Sequence, residues 1–291
     1  MQVRGRPGFV VLVLCGWFPL AGCSKADGDG TGSSRARAGP DAKLAPELRT
    51  FAQRKIFFGH QSVGRNIIEG LRQLAAREGV PLEIGDEDEG AAGPAIFTHG
   101  AVARNGDPVL KLQSFSGALA SGPPAGVDTA LVKFCYVDFS SETDVAALFT
   151  RYQDTVAALK ARYPRTTFVH VTAPLTAVPG GPKEFLKRLL GRPPAGAAEN
   201  GRREDYNALV RRAYQGREPL FDLAAVESTR PDGSRVTVDL DGRAVPVLFP
   251  AYTYDDGHLN GEGQLRAARE LVSVIAAIPP RGDPAGAAEQ E

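Results

Sequence analysis

Lys55-Ile56-Phe57-Phe58-Gly59-His60-Gln61-Ser62-Val63-Gly64 is the stretch on which the fold turns. Lys55 to Gly59 is short, apolar and aromatic, the composition of a buried strand. From Val63 to Arg77 the period changes. Ile67, Ile68, Leu71, Leu74 and Ala75 fall on one face of a helix. A strand that turns at once into an amphipathic helix opens a β–α unit, and repeats of that unit give a parallel sheet covered by helices.

Working outward, the same rhythm recurs. Short apolar runs at Pro81–Ile84, Ala130–Val137, Thr167–Thr172 and Pro219–Leu223 read as further strands. Helical periodicity covers Asp144–Tyr163, Arg202–Gln215 and Gly261–Ile278. The expected fold is a three-layer α/β/α, flavodoxin-like domain over 45–278, with a parallel sheet of about five strands. Arg235 to Leu248 alternates apolar and polar residues around Asp241-Gly242, which predicts an inserted β-hairpin. Residues 85–128 are rich in Gly and Pro with little periodicity and read as a long functional loop.

The N-terminus reads differently. Arg4 and Arg6 precede an apolar run from Phe9 to Leu20, too short for a span of about 20 residues. The run ends in Leu20-Ala21-Gly22-Cys23, which resembles the bacterial lipobox. That resemblance implies cleavage before Cys23, its lipidation, and a membrane partner reached through the lipid. Residues 24–44, rich in Gly, Ser, Asp and Arg, then read as a flexible tether, and 279–291 as a disordered tail.

The chain has 291 residues, 34 Lys plus Arg and 34 Asp plus Glu. A balanced charge gives no sign of a nucleic-acid partner. Of Cys15, Cys23 and Cys135, only Cys135 would remain a free thiol after export and lipidation, so no intrachain disulfide is expected. No zinc-type cysteine spacing occurs.

In open α/β sheets, ligands bind beyond the carboxyl ends of the strands. Two places there can carry chemistry. Ser62 follows the first strand and opens a helix, where unpaired N–H groups favour a developing oxyanion. Ser62 is equally suited to be a plain N-cap. Before the last helix stands Tyr254-Asp255-Asp256-Gly257-His258-Leu259-Asn260. An Asp three residues before a His can orient it as a general base. The same loop also reads as a polar turn capped by Asn260.

Taken together, FGHQSVG, KFCYVDF and DDGHLN resemble the SGNH (GDSL-like) hydrolase family, in a bacterial lipoprotein branch. The resemblance spans about 55–275. It implies a serine esterase with Ser62 as nucleophile, His258 as base and Asp255 as orienter. It implies no metal or organic cofactor and an acyl ester substrate, either a small molecule or a carbohydrate carrying O-acyl groups. Acyl transfer by the same triad and a non-catalytic binding lipoprotein are the alternatives. Two departures stand out. His60-Gln61 replaces the family's Gly-Asp before the serine, and Cys135-Tyr136-Val137-Asp138 lacks the oxyanion-hole Asn of its third block. Asn105 or the Gly100 N–H are candidates for that role, with Asp138 as a substrate contact or a brace for the nucleophile loop.

His60 reads as a polar wall of the site, with a second base or a substrate contact as the alternatives. His99 reads as a loop residue that touches substrate or solvent. His170 lies within an apolar strand and reads as a satisfied buried histidine. Cys135 reads as a small core residue, and Asn200, Arg203 and Asn207 as helix caps or solvated positions.

Overall fold

The computed structural model describes residues 40–86, 97–121, 126–181 and 193–279, all within the unit Gly39–Glu291. The leader, Cys23, the tether up to residue 39 and the tail from residue 280 lie outside the described residues.

Eight strands are described: β1 Ile56–His60, β2 Ile84–Asp86, β3 Phe97–Ala101, β4 Thr129–Val132, β5 Thr167–Val171, β6 Leu220–Phe221, β7 Thr237–Leu240 and β8 Arg243–Pro246. The first six form one sheet in the order β2-β3-β1-β4-β5-β6, with every pairing parallel. β7 and β8 form the expected antiparallel hairpin. Its turn residues Asp241 and Gly242 both have positive φ, at 54° and 80°, which a two-residue turn matched to strand twist requires.

The helices are α1 Leu44–Phe51, α2 Val63–Glu78, α3 Pro108–Ser121, α4 Val145–Arg162, α5 Ala197–Tyr214, α6 Leu223–Ser228 and α7 Gly261–Ala276. Strand residues alternate between two cores, as a pleat dictates. Ile56 and Phe58 of β1 pack with α1, α2 and α7 through Leu48, Ile67, Leu71 and Leu271. Phe57 faces the opposite core, with Phe115 of α3, Phe149 of α4 and Tyr206 of α5. Each fully buried Leu or Phe contributes roughly 1.5–3 kcal/mol relative to exposure. Three layers around a parallel sheet are thus confirmed.

The sheet has six strands rather than about five, and the segment expected to be a long loop supplies the difference. It contains β3 and α3, whereas β2 continues the strand expected at Pro81–Ile84. The last residues of the segment expected as a tether, 24–44, are ordered into the fold. Residues 40–43 form a 3-10 turn, and Leu44 of α1 is already in the core. No helix among the described residues is long and apolar enough to cross a membrane.

The order places β1 at the switch point. From β1 the chain first lays down the edge strand β2, returns to place β3 between it and β1, then continues on the other side with β4. The crevice beyond the carboxyl ends of β1 and β4 is where such sheets receive ligands.

Candidate active site

Ser62 stands in that crevice. The chain leaves β1 at His60 and enters α2 at Val63, which leaves Gln61 and Ser62 to make the turn. Ser62 adopts φ 33°, ψ −91°, a conformation that costs a non-glycine residue of order 1–3 kcal/mol. It makes no side-chain cap bond to α2. The N-cap reading therefore does not account for this serine. A strained turn between a strand and a helix is the setting in which a serine hydroxyl is presented at a sheet edge in other hydrolytic sites.

Gly64 permits the tight turn, because a Cβ there would lie 2.3 Å from the His60 ring. The helix closes with Gly64 N–H on Gln61 O and Arg65 N–H on Ser62 O. The Ser62 and Val63 amides precede those ladder donors, at the positive end of α2.

Asp255 and His258 lie in the loop before α7, as the sequence suggests. The His258 Nδ1 to Asp255 Oδ2 distance is 2.6 Å. Asp255 Oδ1 accepts the backbone N–H groups of Gly257 at 3.1 Å and His258 at 2.7 Å. Slight burial raises the Asp255 pKa. The bonds from the His258 amide, its ring and the Gly257 amide outweigh that, so the carboxyl sits below its usual range. With Nδ1 on the carboxylate, Nε2 of the imidazole is the nitrogen left to act as base.

Three contacts bring this loop to the serine's edge. Asn66, in the first turn of α2, accepts the Leu259 N–H at 3.1 Å. The His258 ring meets Tyr136 edge-on, with centroids 5.8 Å apart. A Cβ at Gly257 would lie 2.7 Å from the Tyr136 ring. Tyr136 follows Cys135, whose Sγ is 3.9 Å from Ser62 Oγ. The serine and the Asp–His loop therefore meet on either side of the post-β4 turn, with no direct hydrogen bond between Ser62 and His258 among the described residues.

The remaining candidates divide. Asn105 is exposed in the β3–α3 loop, and its Oδ1 accepts from Lys111 Nζ at 3.0 Å. That bond takes the oxygen end and leaves Nδ2 as a donor. The loop is tied to the nucleophile turn by Gln61 Nε2, which donates to Ala103 O at 2.6 Å. Gly100 lies inside β3, buried and in register with Gly59, so it belongs to the sheet.

Asp138 braces rather than binds. It forms a fully buried ion pair with Lys111 at 2.7 Å and accepts the amides of Gly106 and Cys135. It thus joins the post-β3 and post-β4 loops.

His60 is a correction. It is 2% exposed and sits beneath α2, not on the wall of the crevice. Its Nε2 is 3.2 Å from His99 Nδ1. Burial, then the neighbouring charges of His99, Lys133 and Arg65, lowers its pKa to about 2, so it stays neutral. His99 is a second correction, because it is a buried residue of β3. His170 is buried as expected, bonded to the Tyr152 hydroxyl at 2.8 Å and to Glu218 at 2.9 Å. Cys135 is wholly buried.

Asn200, Arg203 and Asn207 are neither caps nor solvated. They are buried and hold the chain beyond β5 and the turn beyond β4. Asn207 bonds both backbone groups of Ala173, Asn200 those of Thr176, and Arg203 Nε donates to Tyr136 O. Their spacing places them along one face of α5, a stripe legible as buried only once the strand opposite is known. Lys111 and Lys133, both wholly buried near the site, escape sequence reasoning altogether.

Among the described residues four large hydrophobics are exposed: Val109, Leu110, Val137 and Tyr254. All four lie on segments that follow β3 and β4 or precede α7, beside the crevice.

No family model matches the chain, and no curated protein matches it. Several solved structures resemble it. A GDSL-like lipase from Bacteroides thetaiotaomicron shares 12% identity at a TM-score of 0.47, covering 82% of this chain and 97% of that one. An acetyl xylan esterase shares 16% at 0.45, covering 76% and 98%. The periplasmic domain of a Salmonella ser. Paratyphi A lipopolysaccharide acetyltransferase shares 12% at 0.43, covering 84% and 98%. The chemistry of the site is read from its own geometry.

Proposed function

We propose that this protein is a serine esterase that hydrolyses an acyl ester. The observation that carries the reading is a strained serine at the switch point and, across the post-β4 turn, a His–Asp pair at 2.6 Å. Ser62 Oγ attacks the acyl carbonyl and forms the C–O bond of a tetrahedral intermediate. His258 Nε2 takes the serine proton and returns it to the departing alkoxide as the original ester bond breaks. Water then attacks the acyl-enzyme with His258 again as base, releasing the carboxylic acid and Ser62. Asp255 fixes the imidazole tautomer throughout. The Ser62 amide and Asn105 Nδ2 hold the oxyanion. Such a donor contributes roughly 2.7–4 kcal/mol to the barrier in known acyl-transfer sites.

The substrate is an O-acyl ester on a polyhydroxy carrier such as carbohydrate. An open mouth that combines Tyr254 and Val137 with Asp255 and Asp256 suits a ring with apolar and hydroxylated faces. The leader-like segment and the lipobox-like Leu20-Ala21-Gly22-Cys23 support a location at the bacterial cell envelope, with lipid on Cys23 as the anchor.

Hydrolysis of p-nitrophenyl acetate tests the chemistry. Ser62→Ala is expected to lower turnover by roughly 10⁴-fold or more while leaving the melting temperature nearly unchanged, since alanine keeps the Cβ and with it the same backbone strain at φ 33°. Retained turnover would refute the assignment. A large fall in melting temperature would return Ser62 to a structural role.

A further inference from the structure

Beneath Ser62 lie two side chains that this mechanism leaves unused. Lys133 and Cys135 are both wholly buried. The Lys133 N–H donates to Gly59 O at 3.0 Å, which carries the β1–β4 pairing past the end of β4. Its Nζ lies 2.9 Å from Phe134 O and 3.6 Å from Cys135 Sγ. Cys135 Sγ in turn lies 3.9 Å from Ser62 Oγ. No carboxylate stands within ion-pair distance of Lys133 among the described residues. Burying an amine with such weak partners is costly, and packing alone would be better served by an apolar side chain.

The direction of the hydrogen bonds gives the pair a use. Charged or neutral, the lysine amine has N–H groups for its two neighbours, the Phe134 carbonyl and the Cys135 sulfur. The sulfur accepts from Lys133, which leaves its single S–H available to its other neighbour, Ser62 Oγ, in a contact where either atom can donate. A serine oxygen that accepts there keeps its own proton free. That proton is the one His258 must receive.

We propose that Lys133 and Cys135 are positioning residues for the nucleophile. Lys133 fixes the thiol rotor, and the S–H···Oγ bond turns the Ser62 hydroxyl toward His258. The inference rests on Ser62 being the nucleophile.

The test uses the full chain and two substitutions. Cys135→Ala removes the donor and is expected to lower kcat for p-nitrophenyl acetate roughly tenfold, with KM within about twofold. Cys135→Ser keeps both an acceptor for Lys133 and a donor for Ser62, and is expected to restore most of the loss. Unchanged kcat in Cys135→Ala, or a loss that serine does not rescue, would overturn the proposal.

An infrared measurement reads the contact without catalysis. The Cys135 S–H stretch, isolated by subtracting the Cys135→Ser spectrum, should move to higher frequency in Ser62→Ala. A band that stays in place overturns the proposal. A band that moves, in a chain whose wild type hydrolyses no ester, supports the contact and contradicts the esterase reading alone.

Discussion

Asp138 and Asp255 make the most instructive pair in the molecule. Both sit in tight turns at the same sheet edge, each accepts two backbone N–H groups, and each holds one basic side chain. Their surroundings differ. The Asp138 side chain and its partner Lys111 have no exposed surface, whereas the Asp255 side chain is 42% exposed and that of His258 27%. Asp138, buried and tied to a lysine and two amides, holds structure, because any change in its charge is costly. Asp255, partly exposed, orients the histidine that carries the proton, and can be altered at little cost to the fold. The difference separates the frame of the site from its working groups.

Substitutions at the two positions sharpen that contrast. The largest expected effect is on activity. Asp255→Asn should reduce kcat by roughly 10⁴-fold, because an amide can donate to His258 and favour the wrong tautomer. Its stability should change by less than about 1 kcal/mol, as for exposed pairs. Steady-state kinetics and thermal melts on one preparation check both. Comparable activity in the variant would dissolve the distinction between the two carboxylates.

The next effect is on stability. Asp138→Asn leaves the Lys111 ammonium buried without its counter-charge and should cost roughly 3–5 kcal/mol in chemical denaturation. Asn retains an acceptor for only part of the network around Gly106 and Cys135. A cost below about 1 kcal/mol would mean that the pair does not brace the two loops.

The contrast also explains what could be read from the sequence. The strand–helix alternation was legible because β1, β4 and β5 are runs of Ile, Val, Leu and Phe. The covering helices α2, α4 and α7 likewise keep a clear period. The Asp255–His258 pair was legible because both partners occupy one turn, so spacing alone reveals the contact.

Strand β3 was not legible. Phe97-Thr98-His99-Gly100-Ala101 carries one large apolar residue and lies among glycines, and only pairing on both sides makes it a strand. Helix α3 left a usable signal, namely Asp107 followed by Pro108. The Asp107 carboxylate accepts the Leu110 N–H at 2.9 Å, and Pro suits a first helical turn.

The Lys111–Asp138 pair had no local signature. Its members lie 27 residues apart, and Lys111 occupies a core position of α3 beside Leu112 and Phe115. His60 and His99 were misplaced for the same reason. Their burial depends on the strand order, not on neighbours in sequence.

The central claim is that Ser62 is an activated nucleophile whose base is His258. A fluorophosphonate probe tests it most directly, applied to the full chain and followed by mapping of the modified peptide. The account predicts one adduct, on Ser62, that is lost in His258→Ala. A folded protein that leaves Ser62 unmodified, or that labels equally fast without His258, would contradict it.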